Sequence, residues 1–336
     1  MRALVIPKYR RPKTLQLGEV PKPVPKAGEV LIRVHAAAVN STDPVQLGSP
    51  NSRSAFAGGN QDGKYTIPGD SLAGEIESAG RDVRLLKPGE RVYASTGFKL
   101  GAHAEYICLP ENGALAIMPA GMTFAEAAAI VDGGITAVTF LRDVARVRAG
   151  QHVLIHGASG SVGTFAVQLA RHYGAHVTGV CSTSNLDLVK SLGAEQVLDY
   201  TAEDFTRRPA AYDIIFDTVA KSSFARCQEA LKPGGIYLTT FPAPSVLLQR
   251  LWPRPRAAKR GMFAAAGLRS SGKKAEMLRF IRELADAGQI RAVIDRRHPL
   301  EEAAEAYWYV AQGHKKGSVV LTLSAAGNGE ARNGPS

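Results

Sequence analysis

Residues 153–171 read VLIHGASGSVGTFAVQLAR, in which an apolar run enters a glycine turn and the turn opens directly into an amphipathic pattern. This order predicts a buried strand, a tight turn and a helix. Gly157, Gly160 and Gly163 would let the backbone approach a pyrophosphate, whose charge would lie on the free N–H groups at the helix start. Ala158 stands at the first glycine of the usual G-x-G-x-x-G spacing, so a turn of purely structural purpose is the alternative.

The chain around this turn changes character at Thr123. After that residue, near-continuous apolar runs alternate with helical patterns, which is typical of a parallel sheet covered on both faces. Before it, short strand patterns are separated by proline and glycine turns, which predicts a compact antiparallel or barrel-like domain. The strands expected in this first part cover residues 1–6, 29–39, 71–78, 90–94 and 105–109.

Length and composition exclude several classes of protein. With 336 residues and 45% hydrophobic content, two globular domains are expected. Cys108, Cys181 and Cys227 are far apart in apolar surroundings, which predicts buried free thiols in a reducing compartment. The first residues do not resemble a secretory signal, and the apolar run at 125–140 is interrupted from Asp132 onward. We therefore expect no membrane span and a cytoplasmic location.

The net charge is +11, and part of the excess is concentrated in residues 250–260. This basic loop is predicted to face an anionic partner such as a cofactor, lipid or nucleic acid, or else to be a solvated surface loop. Its basic residues are Arg250, Arg254, Arg256, Lys259 and Arg260. Residues 325–336 are small and polar, which predicts a disordered tail.

Several further motifs occur in a fixed order along nearly the whole chain. They are PGDSLAGEIESAG (68–80), KPGERVYA (87–94), GAHAEY (101–106), AAAIVDGGITAVTFL (127–141), LKPGGIYLTT (231–240) and HKKGSVVLTL (314–323). Together with the glycine turn they resemble the medium-chain dehydrogenase/reductase superfamily, in its zinc-independent quinone oxidoreductase and enone reductase branch.

The resemblance implies an α/β fold in which a doubly wound Rossmann sheet is inserted into a GroES-like β-barrel domain. It places the barrel domain at 1–122 and 292–324 and the nucleotide domain at 123–291. It also implies a homodimer and a small-molecule substrate, with pocket walls formed mainly by loops 47–66 and 242–267.

The turn after the second strand of the nucleotide domain bears on the choice of cofactor. NAD-preferring domains place an acid there to bind the ribose 2′-hydroxyl, whereas residues 180–185 read VCSTSN. Polar groups on Ser182, Thr183 and Asn185 suit a 2′-phosphate, and the resemblance adds Tyr200. Many relatives have a basic residue where this chain has Ser184. These features predict NADPH.

The cofactor contacts expected from the turn and from the resemblance form one set. They are Thr136, Gly157, Ala158, Ser159, Gly160, Ser161, Val162, Gly163, Ser182, Thr183, Asn185, Tyr200, Thr218 and Phe241.

The ligands of a catalytic zinc are missing from the positions that the resemblance assigns to them. Asn40 stands at the first cysteine, and residues 69–71 read Gly-Asp-Ser in place of the His-Glu segment. Asn40 and Asp43 match the N-x-x-D pattern of the zinc-independent branch. That match implies that Asn40 orients a carbonyl or the nicotinamide amide and that Asp43 holds it in register. A turn whose side chains bond their own backbone is the alternative.

The predicted function is NADPH-dependent hydride transfer to a quinone or an α,β-unsaturated carbonyl, without zinc. Two alternatives remain from the sequence. One is a zinc alcohol dehydrogenase acting on simple carbonyls. The other is a low-turnover NADPH-binding protein whose basic loop contacts a partner.

Overall fold

The computed structural model describes residues 1–7, 15–43, 65–241, 246 and 258–323. Strands dominate the chain before residue 120, as the turn pattern predicts. They are β1 (Arg2–Pro7), β2 (Gln16–Glu19), β3 (Glu29–Val39), β4 (Tyr65–Thr66), β5 (Ser71–Ala79), β6 (Arg91–Ser95), β7 (Tyr106–Pro110) and β8 (Leu115–Ile117). Strands β2, β1 and β4 form a small sheet in that order. The sequence patterns missed β2, β4 and β8, because strands of two to four residues carry too little alternation to be recognised.

A long helical segment connects the two halves of the molecule. Helix α1 (Phe124–Ala137) begins with a capping box, in which Glu126 N–H donates to Thr123 Oγ1 at 3.2 Å and the Glu126 carboxylate accepts from Thr123 N–H at 2.9 Å. Residues 138–145 continue it with π-type hydrogen bonding. The helix therefore continues through Asp132 and the two glycines that interrupt the apolar run.

The whole segment, Phe124–Ala145, is 22 residues long and apolar enough to pass a length-and-composition test for a membrane span. In the structure 83% of its most apolar 18-residue window is buried inside the protein, as in the core helix of a globular domain.

The second sheet contains six strands among the described residues, and every neighbouring pair is parallel. Its elements in chain order are β9 (His152–His156), α2 (Ser161–His172), β10 (His176–Cys181), α3 (Leu186–Ser191), β11 (Gln196–Asp199), β12 (Tyr212–Asp217), α4 (Phe224–Cys227), β13 (Leu231–Thr239), β14 (Arg260–Phe263) and α5 (Ser271–Asp286). The spatial order is β11-β10-β9-β12-β13-β14. This is the doubly wound arrangement, whose strand order reverses between β9 and β12, where ligands bind at the carboxyl ends of the strands.

The chain then returns to the first half through β15 (Ile294–Pro299), α6 (Ala303–Ala311) and β16 (Ser318–Thr322). Strand β16 pairs antiparallel with the second half of β3, while β7 pairs with its first half. The resulting sheet runs β15-β16-β3-β5-β6-β8. The α/β fold class is thus confirmed, whereas the domain limits at 122, 123, 291, 292 and 324 stay predictions.

One hydrophobic core continues through both large sheets. Ala73 and Val320 of the first sheet belong to the same buried cluster as Val153 and Ile155 of the parallel sheet, with α1 between them. Burial of this continuous apolar surface holds the two halves in a fixed relation.

The basic loop falls mainly outside the described residues, which do not include Arg250, Arg254 or Arg256. Of its described members, Lys259 donates through Nζ to the Gln228 carbonyl at 2.6 Å, and Arg260 begins β14. Residues 47–64 of the pocket loop 47–66 and the tail 325–336 also lie outside the described residues.

Candidate active site

The glycine turn after β9 depends on the absence of side chains at Gly157 and Gly163. Gly157 has φ +80°, a conformation that side chains other than glycine rarely adopt. A Cβ on Gly163 would lie 2.1 Å from the Gly157 carbonyl oxygen, so only glycine permits α2 to approach the strand this closely. Gly160 precedes α2 with no side-chain cap, and the first N–H groups of the helix stay available for an anion. This cradle fits the pyrophosphate of a dinucleotide.

The turn is held from two sides. The N–H groups of Gly157 and Ala158 donate to the Val180 carbonyl at 3.0 and 2.9 Å. Asn185 Nδ2 donates to Ser159 Oγ at 3.0 Å and to Ser182 Oγ at 3.2 Å. The amide predicted to bind a 2′-phosphate therefore ties the glycine turn to the turn after β10.

The last strand of the molecule also docks on the glycine turn. Gly317 N–H donates to the Ser159 carbonyl at 2.7 Å, and the hydroxyls of Ser161 and Ser318 are 3.2 Å apart. Val162 begins the first turn of α2 beside them. The cradle is therefore built from both halves of the protein.

The other predicted cofactor residues lie around the same edge of the sheet. Thr218 follows β12, and its hydroxyl donates to the His156 carbonyl at 2.8 Å, beside Gly157. Phe241 is 53% exposed just past β13, while Thr136 is buried on α1. Their contacts with a cofactor stay predictions.

A carboxylate missed by the sequence analysis lies beside the turn after β10. Asp199 ends β11 in register with Cys181, and it accepts a hydrogen bond from the Thr183 hydroxyl. Its other oxygen accepts from the Thr201 N–H and hydroxyl at 2.9 and 2.7 Å. These hydrogen bonds, led by the one from Thr183, lower the pKa of Asp199. Residues 180–185 themselves contain no carboxylate, but an acid reaches this turn from the adjacent strand. Tyr200, the next residue, is 56% exposed.

Asn40 and Asp43 follow β3 and are almost fully buried. Asn40 Nδ2 donates to Asp70 Oδ1 at 2.6 Å and lies 3.1 Å from Ser71 Oγ. Asp43 Oδ2 accepts from the Asn40 N–H at 2.8 Å, as the turn interpretation predicts for that residue. The Asn40 side chain, in contrast, points to the start of the neighbouring strand β5.

The donor set at this point does not suit zinc. The positions matched to zinc ligands hold an amide, a carboxylate and a hydroxyl on Asn40, Asp70 and Ser71, all engaged with one another. The Lys274 ammonium also acts on Asp70 and opposes the rise in its pKa. A tetrahedral zinc needs thiolate, imidazole or free carboxylate ligands and would be repelled by a neighbouring ammonium.

A group of buried charges surrounds Asn40 and was not found from the sequence. We call it the cleft cluster; its members are Asp43, Asp70, Asp132, Lys274 and Lys315. Burial raises the pKa of each carboxyl above its ordinary value and lowers the pKa of both ammonium groups. For Asp132, burial and then the nearby Asp70 raise the pKa to about 7. For Lys315, burial lowers the pKa to about 8.

His103 and Tyr307 close the back of the cleft. His103 Nε2 lies 3.0 Å from the Ala38 carbonyl, so it carries the proton, and Nδ1 accepts from the Tyr307 hydroxyl at 2.9 Å. Burial lowers the pKa of His103 to about 4. Because the ring is neutral and both nitrogens are engaged, His103 is unsuited to donate a proton.

The fold and this site together define a nicotinamide-dependent dehydrogenase or reductase in which the described residues at the catalytic-zinc positions do not form a zinc-binding set. Family models match in two places: residues 26–120 match the alcohol dehydrogenase GroES-like domain, and residues 192–321 match the zinc-binding dehydrogenase family.

Curated relatives and solved structures agree with this class. The quinone-oxidoreductase homolog of Spinacia oleracea chloroplasts is 30% identical over 90% of this chain and 92% of its own. The human quinone oxidoreductase is 30% identical over 96% of this chain and 98% of its own. The quinone oxidoreductase structure from Coxiella burnetii is 27% identical, with a TM-score of 0.81 over 96% of this chain and 99% of that one. The protein belongs to the medium-chain dehydrogenase/reductase superfamily, in its zinc-independent quinone oxidoreductase branch, and is an NAD(P)H oxidoreductase.

Proposed function

We propose that the protein uses NADPH to reduce a quinone or an α,β-unsaturated carbonyl without zinc. The observation that carries the proposal is the pairing of two features across one cleft. The uncapped glycine cradle faces one side, and Asn40 with its partners Asp70 and Ser71 stands on the other, where a metal would otherwise polarise a carbonyl.

Some of the residues would bind the cofactor, and others would orient the substrate. A bound dihydronicotinamide would supply the hydride. The first N–H groups of α2 would hold the pyrophosphate, and Thr136, Thr218 and Phe241 would line the nicotinamide end. Asn40 would orient a carbonyl or the carboxamide. Conjugated acceptors suit such a site, since conjugation spreads the developing charge and orientation alone can supply roughly 7–11 kcal/mol of the barrier.

The hydroxyls of Ser182 and Thr183 and the exposed ring of Tyr200 support NADPH as the reductant. Asp199 opposes it, because a carboxylate at this edge repels a 2′-phosphate. We therefore propose a preference for NADPH over NADH that is modest rather than strict.

The test is oxidation of NADPH, with NADH in parallel, against a panel of quinones, enones, aldehydes and simple ketones. Turnover confined to quinones and enones, with higher kcat/KM for NADPH, is the expected result. Turnover of simple ketones together with one bound zinc per chain would assign the protein to the zinc alcohol dehydrogenases. Tight NADPH binding without turnover on any acceptor would favour a binding protein.

A further inference from the structure

Asp132 is a carboxylate that neither the fold nor the cofactor cradle explains. It lies on α1 one helical turn before Thr136, so the two side chains share one face of the helix. The next residue, Gly133, packs so closely on the start of α2 that a Cβ there would lie 2.6 Å from the Ser161 carbonyl oxygen. Asp132 is therefore placed beside the cofactor cradle.

The carboxyl of Asp132 is largely buried but is not completely excluded from solvent. Its side chain is partly accessible, and within the described part of the chain it takes part in no hydrogen bond or ion pair. Buried carboxylates are normally paired, because an unpaired charge away from water is costly. An unpaired carboxyl that still reaches a cleft is free to exchange a proton with whatever occupies that cleft.

The groups facing Asp132 come from four different parts of the chain. Asp70, at the start of β5, favours its protonated form, and Asp43, after β3, has its own pKa raised by Asp132. Lys274 comes from α5 and Lys315 from the segment before β16, and both favour the charged form. Burial and Asp70 prevail, so the carboxyl titrates near neutral pH, where a general acid works best.

We propose that Asp132 is the proton donor of the reductase, delivering its proton to the α-carbon of an enone after hydride has reached the β-carbon. This inference rests on the proposed function. The C4–H bond of the dihydronicotinamide breaks and a C–H bond forms at the β-carbon, so the cofactor is oxidised and the enone becomes an enolate. The O–H bond of Asp132 then breaks as the α-carbon gains its proton, and the carboxylate recovers a proton from solvent through its accessible side.

The chemistry of protonation indicates which substrates should need this acid. Protonation of carbon is slow in water, whereas the oxygen of a hydroquinone anion takes a proton from water readily. Asp132→Asn should therefore lower kcat for enones by about 10²–10⁴-fold, the usual contribution of a general acid. Quinone reduction by the same preparation should change little. A variant damaged in folding or in NADPH binding would lose both activities together.

Stereochemistry provides a second readout. With an α-methyl cyclic enone, the wild-type protein should place the new α-proton on one face, and Asp132→Asn should give a racemic α-carbon. Hydride delivery to the β-carbon, followed with 4-deuterated NADPH, should keep its face in both proteins. Asp82→Asn, an exposed aspartate in a turn, is the matched control.

The pH dependence completes the test. In the wild-type protein, kcat for the enone should fall as pH rises through about 7, when Asp132 loses its proton. Asp70→Asn keeps an oxygen for Asn40 but removes a negative charge, so the decrease in kcat should occur at lower pH. In Asp132→Asn this decrease in kcat with rising pH should be absent.

Retained α-selectivity in Asp132→Asn, equal loss of enone and quinone turnover, or a racemic α-carbon from the wild-type protein would each overturn the assignment. Failure of the proposed function has a different signature, namely that the wild-type protein oxidises NADPH with neither enone nor quinone.

Discussion

The two sides of the cleft are built on opposite principles. The cofactor cradle consists of backbone, with three glycines over seven residues and no charged side chain in the turn itself. The cleft cluster consists of charged side chains brought together from residues 43, 70, 132, 274 and 315. A backbone cradle binds any dinucleotide and depends on close packing, whereas a cluster of buried charges costs stability and can be tuned to one reaction.

Glycine substitutions should have the largest effect. They should also separate the two requirements of the cradle, which are close backbone packing and access for the pyrophosphate. In Gly163→Ala the new Cβ would lie 2.1 Å from the Gly157 carbonyl oxygen, so backbone must move. We expect a loss of about 3 kcal/mol in the free energy of unfolding, measured by urea denaturation.

Gly160→Ala is the matched control for that prediction. Its φ of −79° suits alanine, and the nearest atom to the new Cβ would be the Gly157 carbonyl oxygen at an acceptable 3.4 Å. The fold should keep its stability, while a methyl group where the pyrophosphate must approach should weaken NADPH binding about ten- to hundredfold, or about 1.4–2.8 kcal/mol. Unchanged NADPH affinity in Gly160→Ala would contradict the placement of the pyrophosphate.

For the cleft cluster we expect the opposite effect, namely that a substitution increases the free energy of unfolding. The folded protein holds the Asp132 proton more tightly than the unfolded chain does, so its contribution is fully present below pH 3.8 and is lost as pH rises through about 7. Asp132→Asn removes a group that must be charged in a buried position. We expect the variant to exceed the wild-type protein by roughly 2–4 kcal/mol at pH 8.5 and by much less at pH 4.5.

Urea denaturation at the two pH values measures this difference, with Asp82→Asn as the exposed control. A stabilisation independent of pH would point to a packing effect rather than to the buried charge. Combined with the loss of enone turnover, the expected result would show that the cluster lowers stability in order to serve chemistry.

The contrast between the backbone cradle and the cleft cluster also explains which parts of the site could be predicted from the sequence. The cradle was predictable because a strand, a glycine turn and a helix start are contiguous in the chain, and each has a local signature. The cleft cluster was not, because Asp70, Asp132 and Lys274 become neighbours only when β5, α1 and α5 meet. In the sequence, Asp132 interrupts an apolar run. A charged residue in a core helix is the one local sign that this position has a function. Asp199 was missed for the same reason, since the register of β10 with β11 brings it to Thr183.

Asp199 provides the smallest predicted effect and links the two principles, since it places one charged side chain beside the otherwise neutral nucleotide edge. Asp199→Asn keeps one oxygen, which can still accept from Thr201, and its amide NH2 can donate to the Thr183 hydroxyl. The substitution removes the charge that would repel a 2′-phosphate. Because this carboxylate is exposed and screened by solvent, we expect the ratio of kcat/KM for NADPH to that for NADH to rise by only about three- to tenfold.

Steady-state kinetics with both cofactors, at low salt and at about 0.5 M added salt, would measure this ratio. Interactions between exposed charges are largely screened at the higher salt concentration. The gain should shrink at high salt, because the repulsion acts between exposed charges. Thr183→Val is the companion variant: it removes one hydroxyl expected to hold the 2′-phosphate while leaving Asp199 charged, so the ratio should fall. If Asp199→Asn instead lowers kcat/KM for NADH and leaves that for NADPH unchanged, the carboxylate binds the ribose hydroxyls directly and the cofactor preference of this protein is NADH.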